Sequence, residues 1–143
     1  MKISKLVIMM VLLVIAVSAG SVYLSRTDAA HADVAGDDLG QVATSQIVAE
    51  ADSGYASSVA ELVSVTTELS NPFPTRPGRS LIVVASTDRL HFVAATKLPD
   101  GKMLVRSDEH REAITCASYT ADCIATLTAD ASLINATPAW EAY

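Results

Sequence analysis

Two cysteines and three histidines are the residues of this 143-residue chain best suited to chemistry. Cys116 and Cys123 stand in "TCASYTADC" with six residues between them. In an oxidising compartment such a pair joins into a disulfide that closes a small loop, which the loop-entropy model values at about 2 to 3 kcal/mol. A metal or redox pair is the rival reading. A metal site needs more ligands at suitable spacing, His110 is the only histidine nearby in sequence, and the separation is too wide for a CxxC redox motif. His31, His91 and His110 are scattered, and His91 falls in a β-rich run, where a structural or surface role is the commoner one. "SDEHREA", from Ser107 to Ala113, concentrates charge and reads as a solvated turn or helix start rather than an acid/base site. Asn135-Ala136-Thr137 matches a glycosylation acceptor, but Pro138 follows it at once. No phosphate-binding glycine loop, HExxH, GxSxG or zinc-ligand cluster occurs. The expectation is a non-enzymatic protein with no catalytic residue, metal or cofactor.

The composition agrees with a modest structural domain. Half the residues are hydrophobic but only 5% aromatic, so the core must be aliphatic and alanine-rich. The net charge is −6, and removing Lys2 and Lys5 at the extreme N-terminus leaves eight bases against 16 acids, which disfavours general nucleic-acid binding. Charge is also unevenly spread. Residues 28–68 carry eight acids and no Lys or Arg, whereas residues 76–111 carry seven bases and four acids. The two halves either neutralise each other within one molecule or meet between neighbouring subunits, the arrangement that generates head-to-tail assemblies.

The elements that position these groups begin at the N-terminus. After Lys2 and Lys5, residues 6–24 are uncharged and apolar. As a helix they reach roughly 29 Å, about the thickness of a bilayer's hydrocarbon core. The two lysines would keep residues 1–5 in the cytoplasm and send residues 25–143 outward. The competing reading is a secretory signal peptide, with Leu6 to Val17 as its apolar region and cleavage after Ala19. Either one places the domain outside the cytoplasm, at the cell membrane or secreted.

Beyond this segment, Leu39, Val42, Ala43, Ile47 and Ala51 recur at helical spacing, predicting an amphipathic helix with a narrow apolar stripe. Ala32, Gly36 and Gly40 lie four apart and form a ridge that another backbone could approach closely; Gly36, Gly40, Asp37 and Asp38 are the candidate subunit-contact residues. Asp52-Ser53-Gly54 supplies the helix stop, and Ser58-x-x-Glu61 has capping-box spacing for a second, short helix presenting Val59, Leu62 and Val63. "SNPFPTRPGRS" is too rich in proline for regular structure. From Ser80 onward the period changes: "SLIVVAS", "LHFVAAT" and "KMLVRS", parted by Thr87-Asp88-Arg89 and Pro99-Asp100-Gly101, predict a three-stranded antiparallel meander. Its one greasy face would be covered by the Leu39 to Ala51 stripe. The tail after Cys123 either adds a strand or drapes over an edge.

Apolar N-terminal helix, amphipathic continuation, short connection, antiparallel meander and C-terminal disulfide loop together resemble the plan of type IV pilins and type II secretion pseudopilins. "DLGQVATSQIVAEADSGYASSVAEL" and "RPGRSLIVVASTDRLHFVAATKLPDGKMLVRSD" are similar to the helix end and first strands of such proteins, over about Asp28 to Asp108. The resemblance implies an α+β fold with a long N-terminal helix, half in the membrane and half packed on the sheet. It further implies a structural role in a filament or secretion apparatus, with other pilin-like subunits as partners. The chain differs from the family at the processing motif: no Gly precedes Leu6, and the fifth residue from Leu6 is Met10 where pilins carry Glu. An anchored or secreted binding module that does not assemble is the alternative function.

Overall fold

A computed structural model describes residues 34–70, 73–74 and 78–143. The chain divides into two compact units, residues 1–33 and residues 34–143. The first lies outside the described residues, and with it the anchor or signal segment, Lys2, Lys5, His31 and Ala32. No described helix is long and apolar enough to cross a membrane.

The second unit is α+β. Helix α1 occupies residues 34–53 and stops where expected, at Gly54, whose φ of 91° suits a residue without a Cβ. A Cβ there would stand 2.8 Å from that of Arg89, so glycine also permits close contact with the first sheet turn. Helix α2 spans Val59–Glu68, and the Ser58 hydroxyl accepts from the Glu61 N–H at its start. The return half of the capping box is displaced by one residue: Glu61 accepts from the main-chain N–H and the hydroxyl of Ser57 rather than from Ser58.

Strands β1 (Ser80–Ala85), β2 (Phe92–Lys97) and β3 (Met103–Ser107) form the expected meander. Two short strands extend it. β4 (Ile114–Cys116) adds to β3 and β5 (Glu141–Ala142) to β1, giving an antiparallel sheet in the order β4-β3-β2-β1-β5. Between them the chain crosses from one edge to the other through two single-turn helices, α3 (Ala121–Ile124) and α4 (Ala131–Ile134).

The sheet is covered on both faces, not one. Leu81, Val83, Phe92 and Ala94 pack against Leu39, Val42, Ala49, Val59 and Leu62 of the helices. On the other face Ile82, Val93, Ala95, Met103 and Val105 pack against Ile124, Leu127 and Leu133 of the tail. Strands buried on both sides need apolar residues at successive positions, which is why β1 reads Leu-Ile-Val-Val rather than alternating. The tail thus does two things: it forms the third layer, and it supplies an edge strand.

Candidate functional site

Helix α1 carries the four candidate contact residues, and its orientation decides what each can do. Its buried side is formed by Ala35, Asp38, Leu39, Val42, Ser45, Gln46 and Ala49. Gln46 and Asp38 are tolerated there because each finds a partner. Gln46, with no exposed surface, accepts from the Ala56 N–H at 2.8 Å and donates to the Ala56 carbonyl at 2.9 Å, tying α1 to the turn that follows it. Asp38 receives both Nε and Nη2 of Arg79, at 3.1 and 2.5 Å, across a sequence gap of 41 residues. Burial opposes the charge on Arg79, but the Asp38 carboxylate outweighs it and raises the guanidinium's pKa. The Tyr143 hydroxyl joins this cluster, its pKa raised by burial and by Asp38.

The anchoring of α1 rotates the expected apolar stripe. Leu39 and Val42 are buried as predicted and Ala43 is half-buried, but Ala51 is exposed and Ile47 is 63% exposed. Ile47 and Ala51 therefore take no part in covering the sheet, and Asp38 and Ser45, which lie off the apolar stripe, are buried in their place. Of the contact candidates, Gly36 and Asp37 are exposed and Gly40 is half-buried. Asp38 is 3% exposed and engaged with Arg79, so its charge faces the sheet rather than a neighbour. A Cβ added at Gly36 or Gly40 would meet nothing within 4 Å. The outer face of α1 is a strip of small and apolar residues, Gly36, Gly40, Ile47 and Ala51, bordered by the exposed acids Asp37, Glu50 and Asp52.

The cysteines form the expected bond: Cys116 at the end of β4 is joined to Cys123 in α3. It fixes the point at which the tail leaves the sheet edge and turns beneath its second face. The tail's far end is held by Glu141, whose carboxylate accepts from the Val59 and Ala60 N–H groups at 3.2 and 3.3 Å. That charge sits at the positive end of α2, where it also stabilises the helix dipole. Nothing in the local sequence of Glu141 signals this role; the contact spans 82 residues.

Of the two described histidines, His91 is the one paired with carboxylates. His91 Nδ1 lies 2.9 Å from Asp108, which also accepts from the Phe92 N–H at 2.9 Å. The hydrogen bond to Asp108 raises the His91 pKa against the opposing effect of burial, with Glu109 and Asp88 adding to the shift. His110 is exposed and contacts the Glu112 carbonyl. Among the described residues no three His, Cys, Asp or Glu side chains are grouped to hold a metal ion. No family model, curated protein or solved structure matches this chain.

Proposed function

We propose that the chain is a non-enzymatic, membrane-anchored subunit or accessory of an envelope filament or secretion apparatus, built on the pilin-like plan. Residues 6–24 are its anchor and residues 34–143 its domain outside the cytoplasm. The observation that carries this reading is the outer face of α1. Two glycines within a helix cost roughly 1 kcal/mol each relative to alanine, yet no described part of this chain uses the space they leave. Beside them Ile47 is exposed although the sheet has a helix-covered face available. A helix face kept thin and apolar, with no partner among the described residues, suits close packing against another subunit. The disulfide supports the extracytoplasmic side of the proposal, since such bonds persist in oxidising compartments.

The test is the N-terminal residue and intact mass of the protein recovered separately from membrane and released fractions. A membrane-bound chain beginning at Met1 or Leu6 is the expected result. A released chain beginning at Gly20 as the main form overturns the proposal, because the anchor is then gone and a secreted binding module takes its place.

A further inference from the structure

The two ends of the meander differ in charge. At the β1–β2 end, acids from four separate stretches converge: Asp88 and Asp130 lie across a shallow pocket, Asp108 and Glu109 face His91, and Glu50 at the end of α1 approaches the same corner through Tyr55. Of the bases at this end, Arg89 is paired with Glu61 although its side chain is 41% exposed, and Arg106 and Arg111 follow at the end of β3 and in the turn after it. Leu90 projects from the middle of these acids, 61% exposed. The tip that holds it is fixed on three sides, by the Arg89 carbonyl accepting from the Tyr55 N–H, by the Thr87 N–H donating to Ser132, and by His91 on Asp108. Arg89 itself has φ 60°, an unfavourable conformation for a residue with a Cβ.

Antiparallel connection puts the β2–β3 turn at the opposite end of the sheet. There Lys97 and Lys102 are exposed, and Asp100 is the acid between them. Lys97 lies over the half-buried Trp140 ring, 4.9 Å from its centre, with Leu98 and Pro99 adjoining. This end therefore offers apolar surface framed by amines, where the other offers an apolar side chain framed by carboxylates.

We infer that these two ends are complementary docking surfaces and that the partner of each is the other end of a second copy of this chain. The contact is head to tail, so it propagates rather than closing as a two-fold dimer. It rests on the assembly reading above and adds which surfaces meet. Leu90 supplies the apolar anchor, and the opposed charges set direction and register.

The experiment is sedimentation of the full chain in detergent at low ionic strength. Charge reversal is placed at Glu50→Lys with Glu109→Lys, side chains that hold no main-chain group, and at Lys97→Glu with Lys102→Glu. Each double variant alone is expected to lose association tenfold or more, and an equimolar mixture of the two to regain it. Leu90→Ser, which alters no charge, is expected to weaken association severalfold. If the unaltered chain associates and both reversed variants associate equally well, or if the mixture fails to recover what each variant loses, the ends are not the interface while assembly through α1 stands. If the unaltered chain remains monomeric, both this inference and the assembly reading fall.

Discussion

The two faces of α1 are held by opposite physical means. The inner face relies on directional contacts, Asp38 with Arg79 and Gln46 with Ala56, set among Leu39, Val42 and Ala49. The outer face has small and apolar side chains at Gly36, Gly40, Ile47 and Ala51. Burying apolar surface is non-directional and would permit several rotations of the helix. Hydrogen bonds and an ion pair admit one. The helix thus spends its polar groups on fixing its own orientation and leaves its apolar strip outside.

This contrast can be broken first from the inside. Arg79→Ala removes an ion pair and two hydrogen bonds from the buried Asp38 carboxylate, and unfolding in urea is expected to show a loss of about 3 kcal/mol. Gln46→Leu fills similar volume but strands the Ala56 N–H and carbonyl in the interior; about 2 to 3 kcal/mol should be lost, with an unchanged denaturant slope. On the outside the sign reverses. Gly36→Ala and Gly40→Ala meet no neighbour, so each is expected to stabilise the domain by up to about 1 kcal/mol. Ile47→Ser should leave the melting temperature of the domain nearly unchanged, within about 0.5 kcal/mol, because the side chain is already in water.

A smaller effect separates this comparison from the rest of the molecule. His91 has a pKa raised chiefly by its bond to Asp108. A group whose folded pKa is raised contributes fully below its unfolded value and loses that contribution as pH rises through the folded value. Stability should therefore fall modestly as pH rises through and just above the ordinary histidine range. His91→Gln should remove that slope, as read by thermal melts across the range, without altering the cost of Arg79→Ala.

What was legible in the sequence follows the range of the interactions involved. The stop at Gly54, the N-cap at Ser58, the turns at Thr87 to Arg89 and Pro99 to Gly101, and the three central strands are set by residues within a few positions of one another, and all are present. The rotation of α1 was not legible, because Asp38 and Ser45 fall off the apolar stripe and the group that draws Asp38 inward, Arg79, lies 41 residues away. The tail was illegible for the same reason. Its course is fixed by a disulfide at one end and by Glu141 on α2 at the other. The unbroken apolar runs "LIVV" and "FVAA" did carry a signal that the sheet is covered twice, since a half-exposed sheet would alternate. Of the contact candidates, the glycines lie on the outer strip, whereas Asp38 points to the sheet.

The proposed role assigns the outer face of α1 to contact with another subunit. Its most direct test is the association of the full chain in detergent, compared with a variant carrying Gly36→Leu and Gly40→Leu, alongside the melting temperature of each. The account predicts that the variant melts at or above the temperature of the unaltered chain while its association is lost. Association that survives both leucines unchanged would contradict it.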